Sequence, residues 1–398
     1  MASVVEPFNA TYYNPAIAKN YSEVVCPPYD VISKEQLSVL RKKSPYNFSK
    51  VLIADDNDYK KAASTLNEWV SKKVLIDDKE KCLYLYEQKF FVEGKKVTRF
   101  GIIGLLQMNK KGIFPHEYTL KGPKEDRKKI IRSTKANLSP IFVIAAKRLK
   151  LFKDVYGAYR CRKPFARFKD QQCNPSRVWR IEGKTQIGKI QKEIDKCKLI
   201  IADGHHRFEI SYDYFNMNKG KFKDLNYILA YITDFQKGLN ILPTHRVLKL
   251  KDSLEQILEK LKDSFIIKDL KQSVIEKKLK QKGKFSFGIY RNKKFYFLEL
   301  KKLSILNKIS KKIYKDLDTY VFHQLILPLF ESNGIIEYTH SVSEAKKIAG
   351  AKKTAFLLKA VTLDSVLKLS CRGFRLPQKS TYFYPKILSG VTIRRFRR

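Results

Sequence analysis

The sequence predicts an α/β (or α+β) protein of mixed sheets with flanking helices, a core domain and a second, smaller α/β domain. Three observations predict it. Short apolar runs bounded by turn residues alternate along the chain with segments of helical period. At 398 residues, 43% hydrophobic and 12% aromatic, the chain can bury a large core. After "ILPTHRVLKL" the composition shifts to a lysine-rich alternation of helices and strands. The expected divisions are a core at 1–250, a lysine-rich domain at 251–370, and a C-terminal segment at 371–398 returning to the core site.

The elements follow in order. In "VVCPPYDVISKEQLSVL" the Pro27-Pro28 pair forces extended geometry, and Ser33 with Gln36 three residues on forms a capping box for a helix. "DNDYKKAASTLNEWVSKKVL" is amphipathic, with Ala63, Leu66, Trp69 and Val70 on one stripe. Residues 82–108 read as two strands joined by a turn at "EGKK". Gly122-Pro123 opens a helix, with proline in its first turn and acids after it. "PIFVIAA" and "KLIIA" read as buried strands, and "HHRFEISYDYFNMNKG" as a helix ending near Gly220. "GKTQIGKI" nearly spells a phosphate-binding loop, but Ile190 stands where the Mg²⁺-binding hydroxyl belongs.

The net charge is +42, from 81 Lys+Arg against 39 Asp+Glu. The excess is lysine scattered over every segment, with one compact block, "RRFRR", at the end. Scattered lysines read as a solvated surface rather than a nucleic-acid footprint, although nucleic acid stays among the partners considered. The six cysteines form no C-x-x-C pair, which argues against a disulfide framework and a structural zinc. No apolar run reaches membrane-spanning length. "MASVVEPFNATYYNP" lacks the layout of a signal peptide, so a cytoplasmic location is expected.

The densest chemistry lies in "IIADGHHRFEI". Asp203 stands at the expected N-cap, Gly204 permits a tight turn, and the first backbone N–H groups of the helix face outward as an anion site. Arg207 adds a planar donor fork suited to phosphate. Residues 100° apart on a helix cannot both face one ligand, so one of His205 and His206 belongs to the site. In "PHEYTLKGPKEDR", His116 and Glu117 pair an imidazole with a carboxylate, and Lys121, Lys124 and Arg127 follow. Asp203, His205, His206, His116 and Glu117 are the candidate catalytic groups. Gly204, Arg207, Arg127, Lys379, Ser380 and Thr381 are the candidate phosphate contacts. Pro28, Tyr29, Asp30, His245 and Arg246 are candidate pocket residues. No metal-ligand set stands out.

"CPPYDVIS", "HEYTLKGPKEDR", "NLSPIF", "IADGHHRFE", "LPTHR" and "KSTYFYPK" together resemble domain of unknown function family 1015, in that family's order and over nearly the whole chain. The turn at Gly204, His205, His206 and Arg207 also resembles the phosphate-binding turn of the ParB/sulfiredoxin-like superfamily, which includes free-serine kinases. The resemblance implies phosphoryl transfer to a small hydroxylated metabolite, serine among the candidates, with Mg²⁺ and a nucleotide (ATP or ADP). It leaves open the reverse direction, a phosphatase of a phosphometabolite such as phosphoserine, and a nucleotide-dependent DNA-binding protein. It gives no oligomeric state.

Overall fold

The computed structural model describes residues 3–109, 111–118, 122–236, 238–281, 285–309, 311–331 and 335–397. The chain forms two compact units, residues 1–240 with 385–398, and residues 241–384. The second unit takes in 241–250 and 371–384, which the sequence reading grouped with the core and with the C-terminal segment.

The first unit is built on a mixed nine-stranded sheet. Its strands are β1 (Val5–Glu6), β2 (Leu83–Val92), β3 (Lys95–Gln107), β4 (Ile113–Pro115), β5 (Ile141–Ala145), β6 (Ala166–Lys169), β7 (Pro175–Ile181), β8 (Leu199–Asp203) and β9 (Tyr227–Thr233). They run in the order β4-β8-β5-β9-β3-β2-β7-β6, with β1 beside β3. Pairs β4/β8 and β5/β9 are parallel and the rest antiparallel. The β2–β3 hairpin closes with Val92 opposite Lys95. Its two turn residues, Glu93 and Gly94, have φ of 50° and 76°, the doubly left-handed turn that matches strand twist.

Helices flank the sheet. They are α1 (Lys34–Lys43), α2 (Tyr59–Ser71), α3 (Gly122–Thr134), α4 (Lys150–Tyr159), α5 (Lys184–Ile194) and α6 (His205–Met217). The capping box predicted at Ser33 forms, with Gln36 and Ser33 exchanging side-chain and backbone bonds. The buried stripe of α2 is Ala62, Leu66 and Trp69; Ala63 and Val70 sit at its margin. Phe152, Val155 and Tyr159 of α4 and Ile187, Ile190 and Ile194 of α5 cover one face of the sheet. Each buried isoleucine contributes on the order of 2 kcal/mol of transfer free energy. The "GKTQIGKI" segment is thus a core-packing helix. It follows β7, which is antiparallel to both its neighbours, so the parallel strand a phosphate loop requires is missing. Residues 394–395 pair antiparallel with 136–137, and Val391 and Ile393 are fully buried.

The second unit carries a six-stranded antiparallel sheet of β10 (His245–Leu248), β11 (Phe265–Asp269), β12 (Ser286–Arg291), β13 (Lys294–Leu300), β14 (Glu337–Thr339) and β15 (Thr354–Leu357), in the order β11-β13-β12-β15-β10-β14. Helix α7 (Leu254–Leu261) packs on one face, and α8 (Gln272–Leu279) with α9 (Val342–Ala349) on the other. All six cysteines are free thiols. Among the described residues no helix is long and apolar enough to cross a membrane.

Candidate functional site

The site of the first unit forms where β8 runs into α6. The register of β8 against β5 slips between Ile201 and Asp203, so Ala202 is an extra residue. Such a bulge bends a strand and re-aims the next side chain. The chain then turns through Gly204, whose φ of 86° makes it a left-handed N-cap without a capping side chain. A Cβ there would lie 2.9 Å from Ile141 Cγ2 and from an Arg207 nitrogen. Asp203 is therefore not the N-cap expected from the sequence. Its carboxylate is taken by cations from two directions.

One oxygen accepts from Arg207 at 2.7 Å, and the other pairs with the Lys386 ammonium. Arg207 also donates to the Pro140 carbonyl. The three side chains are only 10–14% exposed. Burial alone would raise the Asp203 carboxyl, but Lys386 and then Arg207 outweigh it and hold the group well below the usual carboxylate range. A single carboxylate against two cations leaves the cluster net positive, which suits an anionic ligand.

Two imidazoles sit beside this cluster. His116, 1% exposed, approaches the Ile201 carbonyl through Nδ1 at 2.6 Å. A carbonyl only accepts, so Nδ1 carries the proton. Burial pushes the imidazolium down to about 4, so the ring is neutral at pH 7 and Nε2 is the unprotonated nitrogen. That Nε2 lies 3.6 Å from Glu117 Oε2. An imidazole and a carboxylate thus lie side by side, the pairing of groups that general acid–base chemistry uses. His205 packs its ring 4.7 Å from that of His116 and accepts from the His116 backbone N–H at 3.3 Å. His206 is half-buried one position further along α6.

Beyond Arg207 a cleft of about 50 Å³ opens between α3 and α6, lined among others by Tyr29, Arg127, Asn137, Ser139 and Ser211. Tyr29 belongs to a short turn after the buried Pro28, and Asp30 is exposed. Burial pushes the Tyr29 phenol up to about 12, with the Asp30 charge adding to it. Arg127 was expected to contact phosphate. Its donors instead hold Asp126 and the Leu52 carbonyl, and its guanidinium lies 4.2 Å from the Tyr29 ring centre, so it shapes the wall. Lys124 pairs with Glu209 at 2.7 Å and ties α3 to α6. Lys121 lies outside the described residues.

The other candidates belong to the second unit. His245 and Arg246 are buried on β10, with Nδ1 of His245 accepting from the Leu358 N–H at 3.2 Å and Arg246 donating to the Thr244 carbonyl. The Ser380 hydroxyl donates to the Pro377 carbonyl at 2.6 Å; Lys379 has φ of 54°, and Thr381 is half-buried. Sequence reasoning missed Lys386. The signal is present, because Lys386 ends "KSTYFYPK", the stretch whose start carries Lys379, Ser380 and Thr381.

Among the described residues no cluster of three His, Cys, Asp or Glu side chains has the proximity to hold a metal. Asp203, committed to two cations, does not fit as a Mg²⁺ ligand in this arrangement; Glu117 is the candidate carboxylate. The positive cluster of Arg207 and Lys386 does fit the phosphates of a nucleotide.

A mixed α/β core with a charged strand-to-helix turn is the class of protein defined here. The chain belongs to the family described as "Protein of unknown function (DUF1015)", whose model matches residues 5–320. Solved structures similar to it include a free serine kinase in complex with AMP, at 16% identity and TM-score 0.38 over 72% of this chain and 90% of that one. A conserved hypothetical protein from Pyrococcus furiosus is similar at 17% identity and TM-score 0.37, over 73% of this chain and 94% of that one. SbnI from Staphylococcus aureus, with a C-terminal truncation, is similar at 9% identity and TM-score 0.39, over 72% and 85%. No curated protein matches the sequence.

Proposed function

We propose that this protein transfers a phosphoryl group to or from a small hydroxylated metabolite, serine among the candidates, with the phosphate held at the turn of Asp203, Gly204, His205, His206 and Arg207. The observation that carries the reading is the Asp203–Arg207–Lys386 cluster beside the His116–Glu117 pair. Phosphoryl transfer demands charge neutralisation and positioning more than covalent participation. Arg207 and Lys386 are the cations that hold phosphate oxygens, aided by the amino end of α6. Asp203 keeps both cations in place and, being held strongly acidic, is a poor base. The base is the neutral His116 Nε2 with Glu117, which together accept the hydroxyl proton. A nucleotide would supply the phosphoryl group, and Mg²⁺ would neutralise its charge.

The test is a thermal-shift series with AMP, ADP, ATP, phosphoserine and inorganic phosphate, each with and without Mg²⁺. It compares the wild type with Arg207→Ala and Lys386→Ala. Specific ligands raise the melting temperature by mass action. Stabilisation by a phosphate-bearing ligand that disappears in both variants is expected, followed by turnover with serine and ATP. Stabilisation that survives Arg207→Ala overturns the placement of phosphate at the turn. Stabilisation by duplex DNA alone, lost at high salt, overturns the phosphotransfer reading in favour of a DNA-binding protein.

A further inference from the structure

The backbone carbonyls of Pro385 and Lys386 are bonded by side chains of the buried face of the sheet. Gln88 of β2 and Arg99 of β3 are directly paired across the hairpin. Both are at most 1% exposed. Arg99 donates to the Gln88 Oε1 and to the carbonyl of Pro385. Gln88 uses its amide nitrogen to donate to the carbonyl of Lys386 at 3.1 Å. Two successive carbonyls of the C-terminal strap, residues 385–398 of the first unit, thus accept from two neighbouring side chains. The Arg99 guanidinium also lies 4.8 Å from the ring centre of Phe142, and Phe142 is the residue paired with Asp203 across β5 and β8.

Burial of a charged arginine carries a desolvation cost that packing alone does not offset. An apolar residue would fill the same place beside Phe142 and Phe90 at less expense. What the arginine supplies, and an apolar residue cannot, is a donor to the strap.

We propose that Gln88 and Arg99 are positioning residues that set the Lys386 ammonium onto the Asp203–Arg207 pair, so that a β-hairpin remote in sequence fixes the cation at the anion site. The value of that cation for phosphate rests on the function proposed above; the positioning does not.

The test is a double-mutant cycle on the full chain. Gln88→Met removes the donor to Lys386 and keeps the volume. Arg99→Met removes the donor to Pro385. Lys386→Met removes the cation. Two readouts are taken: the affinity for AMP and for inorganic phosphate by calorimetry, and the melting temperature from pH 7 to pH 3. The second readout follows Asp203, whose charge interacts with Lys386, Arg207, His205, His116 and Tyr29. If Lys386 leaves it, its carboxyl moves back toward the ordinary range, so the pair contributes less stability at pH 7 and less is lost below pH 4.

Gln88→Met is expected to weaken AMP binding about tenfold and to lower the melting temperature at pH 7 by an amount that shrinks toward pH 3. Both effects should vanish in the Lys386→Met background, which a general loosening of the core would not reproduce. If Arg99→Met does not fold, the Gln88→Met cycle decides alone. Full-sized effects of Gln88→Met without Lys386, or no effect with it, overturn the proposal. If the wild type binds neither AMP nor phosphate, a Lys386-dependent deficit that is full at pH 7 and shrinks toward pH 3 still supports the positioning, and the phosphate reading falls by itself.

Discussion

At the scale of single residues, the turn depends on one missing side chain and one ionised one. Gly204→Ala puts a methyl 2.9 Å from Ile141 and Arg207 on backbone that L-residues rarely adopt. The expected cost is on the order of 1–3 kcal/mol, seen as a melting temperature several degrees lower. An unchanged melting curve would show that the turn is not as described. Asp203→Asn leaves Lys386 and Arg207 facing each other across a neutral amide. Removing one partner of a buried ion pair costs roughly 3–5 kcal/mol. Because folding lowers the Asp203 pKa, its stabilisation is complete above the unfolded carboxylate value near 4 and is lost as pH falls below that. The variant's deficit should therefore be full at pH 7 and shrink below pH 4. Parallel wild-type and variant denaturant titrations at pH 7 and pH 3 check it, and a deficit independent of pH would exclude the ion pair as its cause.

At the scale of elements, what was legible in the sequence is what local chemistry decides. Ser33 and Gln36 announce a helix start, Glu93-Gly94 a hairpin, and Asp203 to Arg207 a strand-to-helix turn, because each signal lies within a few residues of its effect. Lys386, Gln88 and Arg99 were not legible as parts of the site. Arg99 lies in "KKVTRFG", which reads as the exposed end of a basic strand, and only its pairing opposite Gln88 and the return of the C-terminal strap bury it. The Asp203 N-cap was misassigned for the same reason, since its competing partner is 183 residues away. The strap also makes a prediction. Arg394 is 5% exposed and donates to the carbonyls of Tyr227 and Asp224, while Val391 and Ile393 fill the core around it. Deleting residues 391–398 strips these contacts from the edge of β9. The first unit should lose cooperative unfolding in calorimetry and become susceptible to proteolysis near residue 224. A truncated chain that melts like the full one would make the strap dispensable.

At the scale of the whole molecule, the charge of +42 and the buried imidazoles act in the same direction on acidification. His116 in the first unit and His245 and His323 in the second all have imidazoliums pushed down to about 4, chiefly by burial. In the unfolded chain they titrate near 6.5, so between pH 6.5 and 4 the unfolded state binds more protons and stability falls with pH. Each imidazole kept neutral removes about 1.4 kcal/mol per pH unit in that window. Protonation also adds charge to a chain that already repels itself, and salt relieves only that second effect. The melting temperature should thus decline from pH 6.5 downward and rise with NaCl, while the slope against pH survives at 300 mM NaCl. His116→Asn with His245→Asn distinguishes the causes. Asparagine nitrogen can replace Nδ1 as donor to the Ile201 carbonyl, and its oxygen can accept from Leu358, without titrating. The double variant should show a flatter profile between pH 6.5 and 4. A wild-type slope retained in that variant would assign the acid lability to self-repulsion or to His323, and would remove His116 and His245 from the account.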